Sequence, residues 1–217
     1  VSIWTNRNGP ARSAMSTSNR SRRISDGRVI HGSVETIIPD WAGTEEWLVV
    51  TPHDDDPPLA GGLLLFLARR AGARIRVRIV TDGRMGYTSA VSPDEVVERR
   101  REETRRSFAI LGVDDVGWYD YPDTRLHLHQ GRFPATERSE ETGGETAHTV
   151  GGYSGLQNSF VAELRAVRPS RIFVLSENDY HPDHKVVHQE LMISLFHSQG
   201  DIWPELGPPV ERRPWVH

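Results

Sequence analysis

The chain has 217 residues, a formal charge of −4, ten histidines and no cysteine. Disulfides and thiolate ligands are thereby excluded, so a transition-metal site here must be built from imidazole and carboxylate. The slightly acidic balance gives no electrostatic reason for a nucleic-acid partner, and the length suits one α/β domain with a core. No apolar run reaches the roughly eighteen residues of a membrane span. The N-terminus lacks the apolar core of a secretory signal, which reads as cytoplasmic residence.

Residues 1–28 are rich in Ser, Arg, Asn and Gly without apolar periodicity. Such a segment buries too little surface to offset its ordering entropy and is expected to be a polar arm, with Arg20 to Arg23 solvated. Ile30 to Trp41 reads as a covering segment, so 1–44 is set apart from a single domain over 45–217. Glu46 to Thr51 then reads as a strand buried on both faces, because Leu48, Val49 and Val50 are consecutive. Leu59, Leu63, Leu64, Leu67, Ala68 and Ala71 follow at helical spacing, with Gly72 as the stop. Arg74 to Thr81 is a second strand, and Ser92-Pro93-Asp94-Glu95 opens a charged helix running to Leu111. Val116 to Tyr119 is a short third strand. Residues 120–152 carry no clear period and are a candidate lid or specificity region. Leu156 to Val167 reads as helix, Arg171 to Ser176 as strand and His184 to Phe196 as helix. The proline-rich end from Gly200, with Trp203 and Trp215 as packing anchors, is expected to wrap the body irregularly. Strand and helix alternate throughout. That pattern predicts an α/β, Rossmann-like doubly wound fold, a mainly parallel sheet with helices on both faces and ligands at the carboxyl ends of its strands.

Two acidic-histidine clusters stand at such ends. His53-Asp54-Asp55-Asp56 follows the first strand, and Glu177-Asn-Asp-Tyr-His181-Pro-Asp183-His184 follows the Arg171 strand. A hydrolytic zinc site keeps three protein ligands and an open position. His53 and Asp56, three residues apart across a turn into a helix, can converge on one ion, and His184 is the natural third ligand. Asp55 between them suits a general base. Asp183 is expected to fix or charge His181, whose imidazolium would stabilise the oxyanion formed as metal-activated water attacks a carbonyl. Blander readings stand beside this one. Asp56 before Pro57 also suits a helix cap, and His-Pro-Asp-His also suits a turn and cap. His188, one helical turn beyond His184, is either part of a chelate or an ordinary half-buried residue; His127 and His129 read as surface polar residues.

At these residues the sequence resembles the PIG-L/LmbE-like family, zinc-dependent deacetylases of N-acetylglucosaminyl and related N-acyl substrates. The matching features are Pro52-His53-x-Asp55-Asp56, Thr81-Asp82-Gly83, Arg100-x-x-Glu103 leading to Leu111-Gly112, Asp120-Tyr-Pro-Asp123 and His181-Pro-Asp-His184. Trp203 to Gly207 also matches, so the resemblance spans about residues 45–207. It implies His53, Asp56 and His184 as ligands of Zn2+ or another divalent metal, Asp55 as base, and His181 as electrostatic or acid partner. The implied activity is removal of an acetyl or other acyl group from an amino sugar or related N-acyl compound. Hydrolysis of another amide or ester by the same centre, or an inactive sugar-binding module, are the alternatives. Arg84 and Asp123 are expected to touch a sugar hydroxyl. The partner is a small-molecule N-acyl amino sugar or glycoconjugate, with homo-oligomerisation left open. Many members carry proline where this chain has Asp54, and glutamate where it has Pro57. The family often continues for further strands, so part of the pocket is expected to be absent or supplied by another subunit.

Overall fold

A computed structural model describes residues 21–25, 28–86, 92–137 and 148–217. Its elements in chain order are β1 (Ser21–Ser25), β2 (Arg28–Gly32), α1 (Val34–Ile37), β3 (Glu46–Thr51), α2 (Asp56–Arg70), β4 (Arg74–Thr81), α3 (Pro93–Ile110), β5 (Asp115–Tyr121), β6 (Phe133–Pro134), β7 (Tyr153–Ser154), α4 (Leu156–Val167), β8 (Arg171–Phe173), α5 (Pro182–Gln199) and β9 (Trp215–Val216). The chain divides into two compact units, Val1–Pro39 and Asp40–His217, where the sequence reading sets the division at 44/45. In the first unit β1 and β2 pair antiparallel, Arg23 opposite Ile30. Ordered strand therefore replaces part of the expected arm; the reading of residues 1–20 and of Ser25-flanking 26–27 lies outside the described residues.

The second unit holds a five-stranded sheet in the order β5-β4-β3-β8-β9, every pairing parallel. Strands are added to one side of β3 through α2 and α3, and to the other side through α4 and α5, so the order reverses at β3. A crevice at the carboxyl ends of β3 and β8 is the consequence. Side chains of β3 alternate between two cores. Leu48 and Val50 pack with Tyr121, Phe160, Leu164, Val187 and Leu191 against α4 and α5. Trp47 and Val49 pack with Leu65, Ala68, Val77 and Phe108 against α2 and α3. This two-sided burial is why Trp47 to Val50 is apolar without interruption. At the opposite end of the sheet a buried ion pair ties the start of β3 to β8: Arg171 Nε donates to Glu45 Oε2 at 2.8 Å, with both side chains 1% exposed.

The end of the chain departs from the expected irregular wrap. β9 joins the sheet beside β8, with Ile172 opposite Val216, and Trp215 is half-exposed rather than a buried anchor. The segment before it is held by Arg165 of α4. Its guanidinium donates to the carbonyls of His197, Ser198, Gly200, Ile202, Trp203 and Gly207. Replacement of Arg165 by methionine keeps the apolar stem of the side chain, removes the guanidinium and strands these carbonyls. It is expected to cost about 3 kcal/mol or more, visible as a lower urea midpoint; an unchanged midpoint would refute the clamp. Among the described residues no helix is long and apolar enough to cross a membrane.

Candidate metal centre

The elbow after β3 is shaped by hydrogen bonds to its own side chains. Thr81, the last residue of β4, donates both Oγ1–H and N–H to the Pro52 carbonyl, at 2.8 and 3.0 Å. This is the physical content of the Thr81-Asp82-Gly83 motif at this position: it pins the neighbouring strand end. Asp56 begins α2, yet its carboxylate does not cap the helix. Oδ2 instead accepts from the His53 backbone N–H at 3.1 Å and lies 3.1 Å from Thr51 Oγ1. The carboxylate is thus folded back into the elbow, toward His53 and away from the helix it precedes. Asp55 occupies the cap position and makes no side-chain cap bond either.

The second cluster follows β8 through a turn in which the His181 N–H donates to Asp179 Oδ1 at 3.0 Å. His181 caps α5, its Nδ1 accepting from the Asp183 N–H at 3.2 Å. His184, in the first turn of α5, then points at the elbow.

Three side-chain atoms meet there. His53 Nδ1 is 3.4 Å from Asp56 Oδ2, His184 Nε2 is 3.3 Å from His53 Nδ1, and His184 Nε2 is 3.5 Å from Asp56 Oδ2. A tetrahedral ion with ligand bonds of about 2.0–2.1 Å requires donor atoms about 3.3–3.4 Å apart. The nearly equilateral triangle therefore has the edge length and donor chemistry of three vertices of a zinc-like site. His53, His181 and His184 also lie close enough to share an ion, as do His53, Asp123 and Asp183. The first of these groupings is less apt, because His181 Nδ1 is committed to a backbone N–H. The second gathers on the other ring nitrogen of His53, Nε2, and its carboxylates also accept backbone hydrogen bonds, Asp123 from Met85 at 3.3 Å and Asp183 from Thr124 at 2.9 Å, as Asp56 does from His53.

His53 is addressed from both sides. Its Nε2 faces Asp123 Oδ1 at 3.2 Å and Asp183 Oδ2 at 3.7 Å, leaving Nδ1 for the triangle. Carboxylate on one nitrogen and an ion on the other is the usual support of a metal-binding imidazole. Behind His184, Nδ1 lies 2.9 Å from Asp179 Oδ2, a charge contact not aligned as a ring hydrogen bond. Burial favours the neutral form of His53, but hydrogen bonds to Asp123, Asp183 and Asp56 outweigh it and push its pKa up to about 11. The folded value exceeds the ordinary one of about 6.5. In the metal-free protein this group therefore contributes stability fully below pH 6.5, and the contribution is lost as pH rises through about 11. A cation arriving at Nδ1 must displace that proton. Calorimetric zinc titration at pH 7 in buffers of different ionisation enthalpy is expected to show about one proton released per ion from this ring, with affinity rising with pH. Release of no proton would contradict the pairing.

Several residues stand otherwise than their spacing suggests. The Asp183 carboxylate is buried and turned to Thr124 and His53, and its backbone N–H is the group that reaches the His181 ring. A ring nitrogen that accepts a hydrogen bond carries no hydrogen, which assigns the His181 hydrogen to Nε2. Asp123, expected to meet substrate, is 6% exposed and lies against His53. Arg84 folds onto Asp82, with Nε 2.6 Å from Oδ2. Asp55 is 64% exposed. His188 donates Nδ1–H to the Leu175 carbonyl at 2.8 Å and belongs to neither of the two groupings above. His129 is buried against the Tyr121 ring, while His127 is exposed. The sequence reading includes Asp179 in the Glu177 to His184 cluster without a role for it, and lacks the contacts of Asp54. As an acid close before the histidine pair, Asp179 could have been given one; nothing in the sequence reports the partner of Asp54.

Residues 48–194 match the model of the family described as PIG-L, GlcNAc-PI de-N-acetylase. The diacetylchitobiose deacetylase of Thermococcus kodakarensis is 38% identical over 80 residues, 36% of this chain and 30% of that protein. The N,N'-diacetylchitobiose deacetylase of Pyrococcus horikoshii, solved with an inhibitor, superposes with a TM-score of 0.62 at 23% identity, over 79% of this chain and 59% of the other. The 4-carboxy-2-hydroxymuconate hydratase of Pseudomonas putida superposes with a TM-score of 0.57 at 19% identity, over 79% and 64%. At these identities the structural likeness shows the fold alone. The chain spans less than two thirds of each of these relatives.

Proposed function

The chain belongs to the PIG-L family, and from that premise we propose that it is a metal-dependent hydrolase that removes an acetyl group from the nitrogen of a small amino sugar or glycoconjugate. The observation that carries this reading is the triangle of His53 Nδ1, Asp56 Oδ2 and His184 Nε2, whose 3.3–3.5 Å edges fit a zinc-sized ion. When bound, such an ion supplies Lewis-acid polarisation of a carbonyl and acidifies water.

The chain's own residues supply the rest. Asp55, exposed and one residue from a ligand, takes a proton from the attacking water. His181 has Nδ1 occupied and its hydrogen on Nε2, and its ring lies 4.7 Å from that of His53. It donates from Nε2 to the carbonyl oxygen as negative charge develops there. This donor is set by the Asp183 backbone N–H and not by its carboxylate. The C–N bond then breaks, acetate leaves, and the proton on Asp55 passes to the departing amine. Asp123 and Asp183 hold His53 from behind and touch no substrate in this scheme. Arg84, 36% exposed, remains a candidate contact for a sugar hydroxyl.

The test is acetate release from N-acetylglucosamine and N,N'-diacetylchitobiose by protein loaded with Zn2+ and by protein stripped with a chelator. Turnover by the loaded form alone is expected. A loaded protein inert on a broad N-acyl panel would favour a binding module, and release of other acids from amides or esters would favour the wider hydrolase. His181→Ala is expected to keep its metal and lose roughly 100-fold in kcat; an unchanged rate would refute the donor role.

A further inference from the structure

Asp54 is the elbow residue to which neither the ligand triangle nor the reaction assigns a part. Its carboxylate nonetheless accepts three hydrogen bonds from α3. Arg100 of α3 approaches it side-on, Nε donating to Oδ2 at 3.1 Å and Nη2 to Oδ1. Thr104, one helical turn further, donates Oγ1–H to Oδ2 at 2.8 Å. The Asp54 and Arg100 side chains are 11% and 15% exposed. A two-point guanidinium–carboxylate pair in so little solvent is among the stronger and more directional polar contacts a protein makes. Arg100 is also confined from the other side. It lies over the turn Gly83–Gly86, where a Cβ on Gly86 would collide with Nη1.

The same Nη2 atom that binds Asp54 lies only 3.9 Å from Asp55 Oδ1. A hydrogen bond forms at about 2.9 Å, so a displacement of about 1 Å would move the guanidinium from one carboxylate to the next. Two acids compete for one cation: Asp54 holds it with both oxygens, and Asp55 stays exposed at the outer edge of ion-pair range, without a hydrogen bond to it. We propose that Asp54 is a positioning residue: with Thr104 it captures Arg100 and so keeps the guanidinium from closing onto Asp55 as a hydrogen-bonded pair. This inference rests on the reading of Asp55 as the base.

Asp54→Asn preserves shape and the Thr104 contact while removing the charge that captures Arg100. The expected result is a kcat about tenfold lower at unchanged KM, with one metal ion per chain retained. The double variant Asp54→Asn/Arg100→Met removes captor and captive together and is expected to recover kcat to within about threefold of the wild type. A merely structural pair would leave the double variant at least as impaired as the single one, and that outcome, or an unchanged Asp54→Asn, overturns the proposal. If the single variant does not fold, the double variant decides: near-normal kcat supports the capture and a tenfold loss overturns it. A crystal structure of a folded variant reads the same point without turnover. Arg100 Nη2 should move to within hydrogen-bonding distance of Asp55 in Asp54→Asn, and an arginine that stays in place contradicts the proposal. Should the wild type release no acetate, the proposed function fails, while that distance still tests the capture.

Discussion

Asp55→Ala is expected to bind zinc as the wild type does and to lose roughly 1,000-fold or more in kcat. A positioned general base contributes on the order of 10² to 10⁴ to such a reaction, and few other features of this residue could confuse the result. Its carboxylate makes no cap bond to α2. It is 64% exposed, and the guanidinium nearest it stands 3.9 Å away. Its removal therefore leaves no buried partner unsatisfied, so the fold and the triangle should survive. Metal content measured beside turnover separates the roles of adjacent acids. If the variant loses zinc as well as activity, Asp55 is a ligand and its assignment as base is wrong.

His184→Ala should do the reverse. It removes one vertex of the triangle and leaves His53 and Asp56 as a two-point site, with Asp179 deprived of the ring it faces at 2.9 Å. Loss of an outer partner alone typically costs 10- to 100-fold in metal affinity, so loss of a ligand is expected to cost more than about 100-fold, with turnover falling alongside. Competition with a chromogenic chelator measures this directly. Full occupancy in the variant at equal free zinc would mean that the ion is held elsewhere.

Much of the scaffold is legible in the sequence because burial writes itself into it. Trp47 to Val50 faces two cores in turn, and an unbroken apolar run is the pattern such a strand leaves. Ser92 caps α3 with Glu95 returning the bond, as the Ser-Pro-Asp-Glu signal promises. β9 leaves no such trace: two residues, Trp215 and Val216, paired on one side and half-exposed, carry no period to read. The site divides in the same way. Residue types and strand ends point to a meeting of His53, Asp56 and His184, and the structure sets their side-chain atoms 3.3–3.5 Å apart. The direction of each carboxylate does not follow from type, because it depends on which backbone N–H lies nearby. Asp56 turns back to the His53 amide and not to its own helix, and Asp183 turns to Thr124 and not to His181. Asp123, distant in sequence and chosen as a substrate contact, supports His53 at 3.2 Å. The Arg100 partner of Asp54 depends on how α3 lies across the elbow, which no local spacing encodes.

The place of the ion separates the two faces of the His53 ring. Crystals grown with zinc and measured on both sides of its absorption edge should give an anomalous peak bonded at about 2.0–2.2 Å to His53 Nδ1, Asp56 Oδ2 and His184 Nε2. A peak on the other face of the same ring, between His53 Nε2, Asp123 and Asp183, would contradict the account.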